Sequence, residues 1–410
     1  MIKKISIEEL VPGMYVHDLN CGWMEHPFLA DAFLIDGKAK ISKIRSLGVQ
    51  ELYIDTERGL DSSLASPLEE VDEQLQQQIN LIAEMPEAAE VEVPATETVS
   101  LGEINKEAPR AKKLHADANQ LVQNLMQNVR MGSPLEIEPI AEMADNMIDS
   151  MFQNPSAMLP LTTLKRHDTY TFEHSVSACA LMIAFARKLG MERQIIRDIA
   201  LGALVHDIGK ARIPDSILKK PGSLNDKEYA RMKEHVDFGV EILEKLPNIP
   251  AIAMQVTAEH HERYDGSGYP KKLKNESLSI YGKMASIVDV YDAISSNRVY
   301  HRGLRPSEAL KKLLEWSDYH FEPRLVHNFI SAIGIYPAGS LVRLESGRLA
   351  VVRDQHENNL LQPIVTVIYH THTMQHLPPE RLDLATGGDK IVSYEDFSRW
   401  KINPFSWLPA

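Results

Sequence analysis

The chain has 410 residues, a length that allows two or three domains. Hydrophobic residues make up 44% of it and charged residues 25%, as in an ordinary soluble globular protein. The formal net charge of -13 argues against a nucleic-acid polymer as a partner, although a local basic site could still bind a small anion.

Cysteine usage and hydropathy indicate a compartment. Cys21 and Cys179 lie far apart and in no paired motif, which predicts a reducing compartment and no disulfide framework. The N-terminus lacks the apolar core of a signal peptide. The longest apolar run, near residues 178–186, is too short to span a bilayer. We therefore expect a cytoplasmic protein without membrane insertion.

Residues 1–60 predict a small α+β domain. Short strands are expected at 14–16 and 51–55, and a helix at 41–47 that Gly48 ends. Three apolar residues of this domain are interpreted as core in preference to a binding surface: Trp23, Pro27 and Phe28.

Residues 61–109 predict an acidic linker. They contain twelve acidic residues and one basic residue, Lys106, and three prolines interrupt the later part. This composition is typical of a solvated spacer, with one helix expected over 68–85. An acidic segment that binds a partner is the alternative.

Residues 110–333 predict a helical domain. Two apolar stripes with steps of three and four residues favour core packing in a bundle. A dimerisation helix, and with it a homodimer, is the alternative for the first stripe. The first stripe comprises Leu114, Ala118, Leu121, Leu125 and Val129, and the second Ile140, Ala144, Met147, Ile148 and Met151. Further helices are predicted over 171–189, 193–208, 226–245, 251–261, 281–295, 306–316 and 323–333.

Residues 334–410 change to a strand pattern and predict a small β appendage. Strands are expected at 340–344, 349–352 and 363–369, the first two joined by a hairpin at Ser346-Gly347. A metal site is the alternative interpretation of three nearby histidines, which we expect to be surface residues of the appendage: His370, His372 and His376. The fold class expected for the whole chain is therefore mainly α.

One set of polar residues stands out in the helical domain. A histidine beside an aspartate in an apolar run must be paired or bound to a metal when it is buried. The members of the set follow one another at separations of 25 to 32 residues, about one helix plus a connection, so that each position comes from its own helix. The set comprises His174, His206, Asp207, His235, His260, His261 and Asp289.

Seven candidate ligands are too many for one metal, and two metals bridged by one carboxylate fit better. Asp207 is the natural bridge, because His206 would serve one metal and other histidines the second. Imidazole and carboxylate without cysteine suit iron or manganese, and less specifically zinc or nickel. The remaining histidines of the domain are interpreted as core residues with satisfied hydrogen bonds: His115, His167, His301, His320 and His327.

Residues 165–329, about two-fifths of the chain, contain an ordered series of motifs. These are His167-Asp168-Thr169-Tyr170-Thr171-Phe172-Glu173-His174-Ser175, His206-Asp207-Ile208-Gly209-Lys210, Ile213-Pro214, His260-His261-Glu262-Arg263-Tyr264-Asp265-Gly266-Ser267-Gly268-Tyr269-Pro270, Asp289-Val290-Tyr291-Asp292-Ala293 and Arg298. In these motifs the sequence resembles an HD-GYP domain, a bacterial branch of the HD phosphohydrolase superfamily. Residues 1–60 resemble the uncharacterised domain that often precedes HD-GYP domains.

The resemblance implies a phosphodiesterase of bacterial second-messenger signalling that hydrolyses cyclic di-GMP to linear pGpG, GMP or both. It implies His174, His206, Asp207 and Asp289 as ligands of one metal, and Asp207, His235, His260 and His261 as ligands of the other. Some relatives hold a third metal through a glutamate four residues before the first histidine. Tyr170 occupies that position here, so two metals are expected.

The expected mechanism is attack on phosphorus by a hydroxide that bridges the metals, since such a water loses its proton near neutral pH. Asp207 and Lys210 are the expected catalytic residues. Lys210 and Arg298 are expected to hold phosphate oxygens, and Tyr269 to contact the substrate. Residues 266–270, the GYP loop, are expected to form a lip over the site, and the resemblance implies contacts of this loop with diguanylate cyclase domains.

Three alternatives stay open at this point. The first is a catalytically inactive module that senses a cyclic dinucleotide or binds a protein, although every ligand expected for two metals is present. The second is a hydrolase of another nucleotide, which the GYP loop disfavours. The third is a preference for cyclic GMP-AMP over cyclic di-GMP, which the motifs do not decide.

Overall fold

The chain combines a helical bundle with two small antiparallel sheets, and the predicted mainly α class is confirmed. The computed structural model describes residues 1–21, 32–84, 101–162, 170–296, 303–317, 319–356, 359–403 and 407. Trp23, Pro27 and Phe28, interpreted above as core, lie outside these ranges.

The first sheet lies at the N-terminus and has the strand order β3-β2-β4-β1-β5. Helix α1 (Lys38–Ser46) packs on it through Ile41 and Ile44, and Gly48 follows with a φ of 81°. The predicted helix and the predicted strand at 51–55 are confirmed, whereas the strand formed by the first residues of the chain was not predicted. The strands are β1 (Ile2–Ser6), β2 (Tyr15–Asp18), β3 (Phe33–Leu34), β4 (Glu51–Asp55) and β5 (Ser66–Pro67).

Helix α2 (Leu68–Glu84) lies inside the predicted acidic linker, where a helix was expected. Its acidic residues face solvent, while Val71, Ile79 and Ile82 are buried. Because this helix has one apolar face, it packs against the first sheet and the bundle, and this part of the acidic segment is not a free spacer.

The bundle surrounds helix α6 (Tyr170–Lys188), whose residues from Val176 to Ala186 are almost all buried. This helix contains the longest apolar run of the sequence, and it forms the centre of the core. None of the described helices combines the length and the apolar character needed to cross a membrane. The bundle comprises α3 (Leu101–Met131), α4 (Glu138–Gln153), α5 (Pro155–Thr162), α6 (Tyr170–Lys188), α7 (Arg193–Val205), α8 (Asp215–Leu218), α9 (Asp226–Lys233), α10 (His235–Leu243), α11 (Ala251–Glu259), α12 (Ile280–Ser295), α13 (Pro306–Trp316) and α14 (Pro323–Ile333).

Two predicted helices end differently in the structure. Helix α7 ends at Val205, three residues early, and the chain continues as a 3-10 helix, Ile208–Arg212. The helix predicted over 226–245 is two helices, α9 and α10. Gly209 allows these segments to meet, since a Cβ at this position would lie 1.9 Å from the carbonyl oxygen of His235.

The second sheet follows the bundle and has the order β10-β6-β7-β8-β9. Its two faces are both covered, one by Leu384 and neighbouring residues and the other by Ile402. The three predicted strands are confirmed: the first begins one residue later than predicted, and the other two are longer than predicted. The last two strands of the sheet were not predicted. The strands are β6 (Leu341–Leu344), β7 (Arg348–His356), β8 (Asn359–His370), β9 (Gln375–Asp383) and β10 (Ile391–Glu395).

Candidate metal centre

The seven polar residues that stand out in the sequence lie together in the bundle. All are buried except His261, which is partly buried. Within the described ranges, two groups of ligand atoms are close enough to hold a metal ion. One group is His174, His206 and Asp207, and the other is His235, His260 and His261.

Asp207 directs one carboxylate oxygen toward each group. Its Oδ2 lies 3.7 Å from Nε2 of His174 and 3.5 Å from Nε2 of His206. Its Oδ1 lies 3.4 Å from Nε2 of His235 and 3.8 Å from Nε2 of His260. The carboxylate therefore stands between the two groups, as a bridging ligand would.

Asp289, on α12, also reaches both groups. Its Oδ1 lies 3.0 Å from Nε2 of His174, and its Oδ2 lies 3.4 Å from Nδ1 of His261. The sequence analysis placed Asp289 only with His174, His206 and Asp207. Its second oxygen extends that expectation, because it faces the other group.

Backbone carbonyls fix the orientation of three imidazoles. In each of them Nδ1 donates a hydrogen bond of 2.7 or 2.8 Å to the carbonyl oxygen three residues earlier, which leaves Nε2 as a lone-pair donor toward the centre. The pairs are His206 with Ala203, His235 with Met232, and His260 with Thr257.

His174 is oriented by a side chain. Its Nδ1 donates to Oδ2 of Asp292 at 2.5 Å, and Asp292 is buried one turn after Asp289 on α12. The sequence analysis assigned no role to Asp292. The signal was the spacing of three residues between the two aspartates, which puts both on one face of a helix.

Charge and burial shift the pKa values of the candidate ligands, and for two histidines and Asp207 they favour the form that binds a metal. Burial lowers the pKa of His206, and it lowers the pKa of His235 to about 4, so both are neutral at neutral pH. Burial alone would raise the pKa of Asp207, but Lys210 and the neighbouring imidazoles bring it well below its usual value. The pKa of His174 shifts the other way. Burial alone would lower it, but the carboxylates of Asp289 and Asp292 raise it above its ordinary value.

Two observations show that a divalent cation fits here. Oδ1 of Asp207 is buried and has no hydrogen-bond partner among the described residues, a costly state for a carboxylate oxygen. The Nε2 atoms of His235 and His260 face each other at 3.3 Å, although both rings have their protons on Nδ1. A cation would satisfy these lone pairs, and the nitrogen and oxygen donors suit a transition metal.

The predicted substrate residues have different positions. Nζ of Lys210 lies 2.5 Å from Oδ2 of Asp207. The ring of Tyr269 stacks on the ring of His261, with centroids 4.7 Å apart and planes 25° apart. Arg298 lies outside the described residues, although α12 ends at Ser295, where the sequence predicts that it ends.

The other histidines were interpreted as core or surface residues and not as metal ligands. Nδ1 of His320 lies 3.4 Å from Oγ of Ser267, and Nδ1 of His115 lies 3.2 Å from Nδ2 of Asn119. His327 is partly buried. His370, His372 and His376 belong to neither of the two ligand groups found in the described part of the chain. His167 and His301 lie outside the ranges that the structure describes.

Comparison with family models identifies two regions. Residues 103–325 match the model described as "HD domain", which is more than half of the chain. Residues 2–140 match the model described as "Domain of unknown function (DUF3391)". Both matches confirm the resemblances drawn from the sequence.

Curated relatives have related names. The protein named "Cyclic di-GMP phosphodiesterase PA4108", of Pseudomonas aeruginosa, is 37% identical over 98% of this chain and 94% of its own length. The protein named "3'3'-cGAMP-specific phosphodiesterase 2", of Vibrio cholerae serotype O1, is 42% identical over 30% of this chain and 24% of its own length. A solved structure, Bd1817 from Bdellovibrio bacteriovorus, named as a HDG"Y"P protein, aligns over 80% of this chain and 98% of its own, with 16% identity and a TM-score of 0.44.

Proposed function

This chain belongs to the HD domain family, in its HD-GYP branch, and we propose that it is a metal-dependent phosphodiesterase that hydrolyses cyclic di-GMP to linear pGpG, GMP or both. The observation that carries the proposal is the buried carboxylate of Asp207, which stands between two groups of histidines. Similarity over almost the whole chain to a relative named as a cyclic di-GMP phosphodiesterase supports the substrate.

The metal content of the proposal is two divalent ions. His174, His206, Asp207 and Asp289 would hold one ion. Asp207, His235, His260 and His261 would hold the other, with Asp289 also in reach of His261. Iron or manganese suits this set of imidazoles and carboxylates best, and nickel or zinc is the alternative.

When bound, such ions lower the pKa of water and neutralise charge on the phosphate. The residues of the chain supply position and protonation state. Asp207 ties the two groups together through its two oxygens, and Lys210 stands beside it, where we propose that it holds a non-bridging phosphate oxygen. We assign a similar role to Arg298. Tyr269 covers His261, and we propose that its ring contacts the substrate.

Further proposals concern partners and location. Ser267 of the GYP loop is exposed, which supports the expected contact with diguanylate cyclase domains. A homodimer through α3 is the weaker proposal, because Ala118 and Leu125 of its predicted stripe pack inside the same bundle. We retain the cytoplasm as the proposed location.

A second candidate substrate has specific support. The relative from Vibrio cholerae serotype O1 named as a cGAMP-specific phosphodiesterase is 42% identical to part of this chain. Cyclic GMP-AMP contains the same two phosphodiester bonds and differs in one purine. Contacts with the purine bases therefore decide between the two substrates, whereas the candidate metal ligands do not distinguish them.

The test is hydrolysis by the full chain, reconstituted without oxygen with iron or with manganese. Cyclic di-GMP and cyclic GMP-AMP are supplied separately, and products are followed by chromatography, with Asp207→Ala as the inactive control. Linear pGpG or GMP from the wild type alone is the expected result. If the protein binds a cyclic dinucleotide tightly but hydrolyses it with neither metal, the proposal of an enzyme is refuted in favour of a sensor. If only cyclic GMP-AMP is hydrolysed, cyclic di-GMP is refuted as the substrate.

A further inference from the structure

The N-terminal domain packs directly on the GYP loop of the catalytic bundle. Gly48 ends α1 and has a φ of 81°. A Cβ built at Gly48 would lie 2.7 Å from Cβ of Ser267 and 3.2 Å from its Oγ. The backbone of the α1 turn and the side chain of Ser267 are therefore in close contact, and a side chain at position 48 has no room.

The GYP loop connects this contact to the candidate metal centre. A Cβ at Gly268 would lie 2.5 Å from the carbonyl oxygen of His261, so the loop lies tightly against the segment that contains this histidine. The amide of Tyr269 donates to that same oxygen at 3.1 Å, and the Tyr269 ring stacks on the His261 ring. Ser267, which contacts Gly48, and Tyr269, which stacks on His261, are separated by Gly268 alone.

The other side of Ser267 is held by the bundle. Its Oγ donates to Oδ1 of Asp265 at 2.6 Å and lies 3.4 Å from Nδ1 of His320. His320 follows α13 closely, and its amide donates to the carbonyl oxygen of Trp316 at 2.8 Å.

The same end of α13 is in contact with the N-terminal domain. Nε1 of Trp316 donates to Oδ1 of Asn20 at 3.1 Å, and the hydroxyl of Tyr53 donates to Glu315 at 2.7 Å. The N-terminal domain thus meets the GYP loop at Gly48 and also contacts the segment that anchors the loop.

We propose that Gly48 is a positioning residue for the reaction: the α1 turn sets the place of the GYP loop, and so of Tyr269 over His261. Glycine is required at this position for two independent reasons, its left-handed backbone and the lack of space beside Ser267. The role of the N-terminal domain is then to hold the loop in its working position. The kinetic part of this inference rests on the proposed function, and the structural part does not.

The decisive experiment is a pair of coupled substitutions in the full chain. Gly48→Ala introduces a Cβ against Ser267, and the double variant Gly48→Ala/Ser267→Gly removes the two side-chain atoms that this Cβ meets, Cβ and Oγ of Ser267. Gly132→Ala is the matched control, because Gly132 has a φ of 70° after α3 and a Cβ there meets nothing within 4 Å. It carries the same backbone strain without the contact.

Two measurements are made on each variant: hydrogen exchange at the amide of Tyr269, and kcat with KM for cyclic di-GMP. In Gly48→Ala we expect exchange about tenfold faster and kcat about tenfold lower. In the double variant both values should return to those of Ser267→Gly alone. Gly132→Ala should match the wild type in both, because a Cβ at Gly132 meets nothing within 4 Å.

Other outcomes overturn the inference. If Gly48→Ala and Gly132→Ala behave alike, backbone strain alone explains the effect of the alanine. If the defect persists in the double variant, the contact with Ser267 is not its cause. Should Gly48→Ala not fold, Ser267→Thr adds one methyl group at the same contact and keeps the hydroxyl for Asp265. Unchanged exchange in that variant would also refute the proposal. An inactive wild type refutes the proposed function, and amide exchange then decides the positioning role by itself.

Discussion

Nζ of Lys210 lies 2.5 Å from Oδ2 of Asp207, the carboxylate oxygen that faces His174 and His206. The lysine is one turn further along the chain and is partly buried, so its charge acts within the site. This relationship places a cation beside the carboxylate that stands between the two ligand groups.

Lys210→Met is expected to lower kcat by roughly 10²- to 10³-fold, the usual effect of removing one donor that stabilises transition-state charge. Metal content should stay near that of the wild type, since an ammonium group is not a ligand. Steady-state hydrolysis and metal analysis of the same preparation test this. Lys219→Met is the matched control, because Lys219 pairs with Asp215 at the surface. Loss of metal together with activity would instead assign Lys210 to holding Asp207.

Asp292→Asn is expected to weaken metal binding by about 10- to 100-fold. The carboxylate of Asp292 accepts from Nδ1 of His174, and an amide cannot give the same charge support to the imidazole. The measurement is titration of the metal-free protein with manganese. Asp149→Asn, an exposed change of the same kind on α4, should bind as the wild type does. Equal affinity of both variants would exclude an orienting role for Asp292.

Two substitutions of Tyr269 distinguish the effect of its ring on KM from the effect of its hydroxyl. Because the ring stacks on His261, Tyr269→Phe should keep KM within about twofold, whereas Tyr269→Ala should raise it about tenfold, the range of one aromatic contact. Initial rates over a range of substrate concentrations measure both values. A phenylalanine variant as poor as the alanine variant would show that the hydroxyl makes the contact.

The sequence is enough to propose the seven residues of the candidate centre, because they recur about one helix apart along a helical domain. It is also enough for α13 and α14, whose bounds are as predicted, since a proline stands in the first turn of each. These signals are local. The spacing between residues in the chain, together with helical periodicity, contains the information.

Long-range contacts explain what the sequence analysis missed. The break between α9 and α10 lies beside Gly209, where the carbonyl of His235 meets a segment 26 residues earlier in the chain. Strand β1 pairs with β4, about 50 residues away, and its two lysines hide the apolar alternation. Contact of Gly48 with Ser267 joins positions more than 200 residues apart, so no local pattern predicts it.

Glu315 is the buried centre of the contact between the N-terminal domain and α13. Its Oε1 accepts from Nδ2 of Asn20 at 2.9 Å and from the hydroxyl of Tyr53 at 2.7 Å, and lies 3.2 Å from Nζ of Lys4. Its Oε2 lies 3.2 Å from Nζ of Lys312. A neutral side chain of the same shape would leave two partly buried ammonium groups with less compensation.

Glu315→Gln is therefore expected to lower the free energy of unfolding by about 3 kcal/mol, the scale for breaking a buried ion pair on one side. Urea unfolding at pH 7 measures it. Glu8→Gln is the matched control, because Glu8 pairs with Arg45 at the surface and should change the value by less than about 1 kcal/mol. Equal values for the two variants would show that Glu315 does not stabilise the contact.

The same substitution has an expected pH dependence. Burial alone would raise the pKa of Glu315, but the charges of Lys312 and Lys4 lower it below its ordinary value of 4.5. A carboxyl whose pKa is lower in the folded state stabilises that state above pH 4.5, and this contribution is lost as the pH falls through the folded pKa. The difference in unfolding free energy between the wild type and Glu315→Gln should thus be constant from pH 8 to pH 5, about where titration of an ordinary glutamate begins, and should narrow below it. A difference that grows on acidification would contradict the assigned ion pairs.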